Sequence, residues 1–265
     1  MSHLPGADPG DASAHLRVLP DAETLATTVA TDLLVRLAAA QGRGDLPHVV
    51  LTGGTIADAV HRELARLGPA SAVDWSRVEV WWGDERFVEA ASGERNERQA
   101  REAVLDHLPL DPARVHPVPA VDAVADVAAA AAAYAEELAA RGPGSADGPD
   151  AFEVVMLGLG PDAHVASLFP GFAQVRVDDE GAVPVTDSPK PPPERVSMTA
   201  PTLARTRGAW FLVSGEGKAQ AVADTLAADP TDPGAADVTP AVRLAGVPER
   251  RWYVDTEAAS RLPAT

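Results

Sequence analysis

The chain has 265 residues, 46% of them hydrophobic, enough to bury the core of one large or two small α/β domains. A formal net charge of −17 argues against nucleic acid and anionic membrane as partners, and it obliges any anionic ligand to find a local cationic pocket. With no cysteine, disulfides, thiol catalysis and thiolate metal sites are excluded.

Residues 1–15 are polar, with Gly, Pro and Asp, and read as a disordered tail rather than a secretory signal. Residues 16–265 read as a single folded domain. No apolar run reaches membrane-spanning length, and a cytoplasmic protein is expected. Residues 21–40 carry helical spacing at Leu25, Val29, Leu33 and Leu37, ended by Gly42 and Gly44. Residues 48–51 predict a short strand flowing into Thr52-Gly53-Gly54-Thr55, then a helix to about Leu67. A strand over 78–82 is followed by Gly83-Asp84-Glu85-Arg86 and a helix over about 96–108. A short strand near 115–118 precedes an alanine-rich helix over 121–140, and 142–149 is a loop. Residues 152–157 form an apolar run with one Glu, a buried strand ending in Gly158-Leu159-Gly160. After a less regular, proline-rich region come strands at 196–199 and 209–214, a helix over 216–227, a strand at 252–255 and a short closing helix. There is no internal repeat. The alternation predicts an α/β fold: a Rossmann-like, mostly parallel sheet with helices on both faces.

The chemistry concentrates where strands end, which is where open α/β sheets bind ligands. Asp162 and His164 follow the glycine turn at 158–160, and a carboxylate beside an imidazole can fix its tautomer and raise its basicity. An isolated D-x-H is more often a surface acid near a capping histidine; strand, turn and dyad in succession favour a site. Thr52-Gly53-Gly54-Thr55 is a candidate anion site, offering backbone N–H groups, a helix N-terminus and two hydroxyls. It lacks the lysine of a P-loop. Asp84, Glu85 and Arg86 follow another strand, and Arg86 could bind phosphate or steady an oxyanion. Only two of the 22 basic side chains are lysines, Lys190 and Lys218, and Asn96 is the only asparagine. Their survival in an arginine-rich chain is suggestive, because Arg does not replace Lys isosterically. Lys190 and Arg195 flank a stiff proline run, and Lys218 opens a helix after a strand. Seven scattered histidines without an H-x-x-x-H pair make a metal site improbable. Gly158-x-Gly160-x-x-Ala163, with Asp178 and Asp179 downstream, also fits a dinucleotide fingerprint. Pro170-Gly171 would stop the helix that fingerprint needs, and Asp162 would repel the phosphates, so this alternative ranks lower.

Together, Gly-Gly-Thr, Trp82-Gly83-Asp84-Glu85-Arg86, the run from Gly158 through Asp162-x-His164-Val165-Ala166-Ser167-Leu168-Phe169-Pro170-Gly171, Lys190-Pro-Pro-Pro-Glu-Arg195 and Gly215-x-x-Lys218 resemble the 6-phosphogluconolactonase family. The match spans about residues 16–259. It implies the fold shared with glucosamine-6-phosphate deaminase and ribose-5-phosphate isomerase. It also implies hydrolysis of 6-phospho-D-glucono-1,5-lactone in the oxidative pentose phosphate pathway, with no cofactor or metal. His164 would be the general base oriented by Asp162, and Arg86 the oxyanion donor, with Asp84 orienting Arg86 or a sugar hydroxyl. Thr52, Gly53, Gly54, Thr55, Lys190, Arg195 and Lys218 would bind substrate, chiefly its phosphate, and Asn96 would border the sugar. A monomer or weak homo-oligomer is expected. The alternatives are an amino-sugar-phosphate deaminase or isomerase and a non-catalytic sugar-phosphate sensor. Two positions depart from the family pattern: Ile56 stands where a proline is usual, and Ala163 where a glycine is usual. A negative φ is expected at Ala163, since a strained turn would revert easily to glycine.

Overall fold

A computed structural model describes residues 14–146 and 148–263. Most of the expected tail (1–13) lies outside the described residues, while Ala14 and His15 already belong to the first strand. In chain order the elements are β1 (Ala14–Leu19), α1 (Ala22–Gly42), β2 (His48–Leu51), α2 (Thr55–Leu67), β3 (Glu79–Trp82), β4 (Asp84–Arg86), α3 (Asn96–Ala103) and α4 (Val127–Arg141). They continue with β5 (Val154–Gly158), β6 (Ala182–Val185), β7 (Arg195–Met198), α5 (Ala200–Ala204), β8 (Gly208–Val213), α6 (Ala219–Ala227), α7 (Ala235–Val238) and β9 (Glu249–Asp255).

Six strands form a parallel sheet in the order β1-β9-β8-β5-β2-β3. Its central strands alternate between two cores, which is why they read as nearly unbroken apolar runs. Val50, Trp81, Val155, Leu157, Phe211 and Val254 face α4 and the second sheet. Val49, Leu51, Val80, Trp82, Met156 and Leu212 face α1, α2 and α3. Helix α1 starts where Asp21 accepts the Thr24 N–H at 2.7 Å, and its Leu25, Val29, Leu33 and Leu37 are buried as the spacing predicts. No helix among the described residues is long and apolar enough to cross a membrane.

A second sheet, β4-β7-β6, is antiparallel. The chain passes from β3 through Gly83 directly into β4, so Asp84-Glu85-Arg86 is a strand rather than the loop its charge suggests. Gly83 serves both sheets, donating to Leu51 O at 3.0 Å and accepting from Met198 N at 2.8 Å. Other expectations are also corrected. Near 115–118 there is a single bridge, from Val80 to Val115, rather than a strand. Helix α4 begins at Val127 because Asp126 caps it, taking the Ala129 N–H at 2.8 Å; the preceding residues are turns. Helix α3 ends at Ala103, and a separate 3-10 turn follows over Leu105–His107. The closing residues are turns, not a helix.

Candidate active site

The turn after β5 creates the dyad. Ala163 N–H donates to Gly160 O at 3.0 Å and Gly160 N–H donates to His164 O at 2.8 Å, folding the chain back on itself. Asp162 Oδ1 and His164 Nδ1 meet at 2.5 Å. A Cβ on Gly160 would stand 2.0 Å from His164 Nδ1 and 2.3 Å from Asp162 Oδ1, so the pair requires glycine there. Ala163 has φ 66°, in the left-handed region, and Ala166 has φ 50°. The expected negative φ at Ala163 is therefore wrong: the turn that joins the dyad holds its middle residue in a conformation costly for alanine. With Nδ1–H directed at Asp162, Nε2 is the ring nitrogen left for chemistry. The ring packs against Phe169, centroids 4.6 Å apart. Partial burial pushes the Asp162 carboxyl up, but the hydrogen bond and charge of His164, with Lys190 nearby, outweigh it and hold the group at about 2.

The second sheet supplies another wall. In β4, Asp84 and Arg86 line the cavity while Glu85 points away from it. Arg86 lies directly opposite Arg195 in the β4/β7 register. Burial lowers the pKa of Arg195; the Asp84 carboxylate pulls the other way, and the Arg86 charge adds to the lowering. Arg195 is held by Pro192 O (3.2 Å) and Lys190 O (3.1 Å), with its guanidinium 5.9 Å above the Phe169 ring. Two like charges side by side on one cavity wall make a cradle for an anion.

Asp84 does not orient Arg86. Its Oδ2 accepts from Ser167 Oγ at 2.7 Å, and the Ser167 N–H donates to Ser197 Oγ at 3.2 Å. Arg86 Nη1 donates instead to Asn96 Oδ1 (2.7 Å) and Glu94 O (2.8 Å). Asn96 Nδ2 donates to Asp84 O at 2.9 Å, so both ends of the amide are engaged within the protein.

Gly53, Gly54 and Thr55 open α2 toward the cavity, and no side chain caps that helix end. A Cβ on Gly53 would lie 1.8 Å from Asn96 Oδ1, so this glycine is what lets the loop close on Asn96. Lys218 ends a 3-10 turn, Glu216–Lys218, ahead of α6, and its Nζ donates to Leu159 O at 2.6 Å. Burial, and then the neighbouring Lys190, lowers its pKa.

These residues share one cavity of about 610 Å³, which Thr52, Gly53, Gly54, Thr55, Asp84, Arg86, Asn96, His164, Lys190, Arg195 and Lys218 all line. Asp162 joins through His164. Both lysines of the chain are there. The sequence reading missed Ser167 as the partner of Asp84 and Glu85 as a buried carboxylate; the Ser167 contact spans 83 residues and leaves no local signal. Glu85 is 1% exposed, and burial pushes it up to about 7 against the opposing pull of Arg95 and three backbone N–H groups. The dinucleotide alternative loses its helix: residues 160–172 form turns, and among the described residues no α-helix starts there.

The model of the family "Glucosamine-6-phosphate isomerases/6-phosphogluconolactonase" matches residues 20–247. The chain is 44% identical over 247 residues to a 6-phosphogluconolactonase of Streptomyces coelicolor, covering 92% of each. It is 38% identical over 255 residues to that of Mycobacterium tuberculosis, covering 95% of this chain and 100% of the relative. The structure of 6-phosphogluconolactonase from Trypanosoma brucei superposes with a TM-score of 0.80 at 25% identity, covering 95% of this chain and 99% of that one. A monomeric glucosamine-6-phosphate deaminase shares the fold, with a TM-score of 0.76 at 18% identity over 93% of this chain and 99% of that one.

Proposed function

The chain belongs to the family of glucosamine-6-phosphate isomerases and 6-phosphogluconolactonases, and we propose on that basis that it hydrolyses 6-phospho-D-glucono-1,5-lactone to 6-phospho-D-gluconate, a step of the pentose phosphate pathway. The observation that carries this reading is the His164 and Asp162 pair opening on a cavity lined by Arg86, Lys190, Arg195 and Lys218.

The phosphate sits among the α2 N-terminus at Gly53, Gly54 and Thr55 and the cations Arg195, Lys190 and Lys218. There the exposed N–H groups and side-chain charge overcome the acidic surface of the chain. His164 Nε2 takes a proton from water as the oxygen attacks the C1 carbonyl. Asp162 stabilises the imidazolium that forms and keeps the ring in the productive tautomer. Arg86 donates to the developing oxyanion. When the tetrahedral intermediate collapses, the C1–ring-oxygen bond breaks and the imidazolium protonates the departing oxygen. The product acid releases its proton to solvent. The Asp84 carboxylate, steadied by Ser167, accepts a hydroxyl of the sugar.

Residues 16–265 act as one unit in this reading, because both sheets contribute to the cavity. A phosphorylated substrate that does not cross membranes unaided, and a chain free of cysteine, support a cytoplasmic enzyme. A deaminase or isomerase would need a base beside C1–C2 of an amino sugar, and a sensor would have no use for the dyad. Consumption of the lactone by purified protein, above its spontaneous hydrolysis, tests the assignment, with glucosamine 6-phosphate in parallel. Turnover of the lactone alone is expected; turnover of the amino sugar alone, or of neither, would overturn it.

A further inference from the structure

Glu85 is the most deeply buried carboxylate beside the site, yet its side chain points away from the cavity and the mechanism gives it no chemical step. Buried charge is costly unless it is fully hydrogen-bonded, so its partners indicate what it is kept for. Oε1 accepts from the backbone N–H of Arg86 at 2.8 Å and of Asn96 at 2.7 Å. Oε2 accepts from the Glu97 N–H at 2.8 Å, and the Arg95 guanidinium stands 3.8 Å away. Asn96 and Glu97 open α3, whose own cap residue, Arg95, makes no side-chain capping bond. Glu85 therefore takes the place of the missing cap from a different element, clamping the first turn of α3 onto β4.

The clamp ends at Arg86. Asn96, held by its N–H to Glu85, accepts from Arg86 Nη1 through Oδ1 and donates to Asp84 O through Nδ2. Gly53 closes the remaining side of that amide. We propose that Glu85 is a positioning residue for Arg86, acting through Asn96 and the first turn of α3. The inference rests on the proposed lactone chemistry only in the role it gives Arg86; the clamp itself is independent of substrate.

Glu85→Gln keeps the shape but places an NH₂ where an acceptor is needed, so at least one backbone donor loses its partner. In the folded variant, kcat for the lactone falls about tenfold or more while KM stays within about twofold, as expected when a transition-state contact is misplaced. In an Arg86→Ala background the same change lowers kcat no further, because residues acting as one unit are not additive. The Arg86 Nε–H resonance, assigned by comparison with Arg86→Lys, shifts in Glu85→Gln without any substrate. Asn96→Ala, which leaves every backbone N–H in place, gives the same cycle should Glu85→Gln fail to fold. An active wild type whose Glu85→Gln variant keeps kcat within twofold, an additive loss in the Arg86→Ala background, or an unmoved Arg86 resonance would overturn the positioning role. A wild type without lactone turnover would instead overturn the functional reading, and the resonance would still decide the clamp.

Discussion

Lys218 Nζ donates to the Leu159 carbonyl at 2.6 Å, tying the turn after β8 to the turn that carries His164. One of the three ammonium protons is thus spent on positioning, and the others are free to meet a ligand phosphate. Lys218→Ala is expected to raise KM for the lactone by roughly ten- to a hundredfold, the equivalent of one charge-assisted bond, with a much smaller change in kcat. Inorganic phosphate should compete with substrate in the wild type and only weakly in the variant. Unchanged KM and unchanged inhibition would remove Lys218 from the phosphate grip.

Ala163 at φ 66° sets up a second test. Left-handed backbone costs an L-residue about 1–2 kcal/mol, whereas glycine adopts it freely. Glycine also loosens the unfolded chain by about 0.4–1 kcal/mol, which offsets part of the gain. Ala163→Gly should therefore stabilise the protein by up to about 1.6 kcal/mol, or roughly 3–6 °C in Tm at that limit, with activity kept or raised. A lower Tm for the variant would mean that the turn carries no such strain.

The sequence was informative where signals are local. β2 and α2 run as their apolar pattern and flanking glycines predict, and Asp162 and His164 are near enough in sequence to suggest a pair. The short antiparallel sheet was hidden because β4 is three charged or polar residues whose partner strand, β7, lies more than a hundred positions away. Long-range pairing leaves no local pattern. For the same reason the sequence offers Arg86 or a sugar hydroxyl as the partner of Asp84, and not Ser167. The alanine-rich stretch looked helical from 121, but composition alone does not place a start; the cap at Asp126 does. At Ala163 the geometry demanded by the dyad overrode the backbone preference of the residue.

Acid stability gives a third test. Burial pushes His61, on the inner face of α2, down to about 4 from an ordinary 6.5, with Asp58 pulling the other way. A depressed folded-state value means that this contribution is complete above pH 6.5 and is lost as pH falls through about 4. His48, also held near 4 by burial, adds to the same limb. His61→Leu should therefore partly flatten the fall in urea midpoint between pH 8 and pH 5. Identical pH dependence in wild type and variant would show that His61 is not a source of acid sensitivity.

The central claim is that His164 Nε2, with Nδ1 anchored on Asp162, is the base that activates water. Its most direct measurement is kcat of His164→Ala for the lactone, corrected for spontaneous hydrolysis, in protein whose circular dichroism and Tm match the wild type. General-base assistance is worth roughly 10²–10⁴-fold, so kcat should fall by that factor while phosphate still binds. A folded His164→Ala protein retaining near-wild-type kcat would contradict the account.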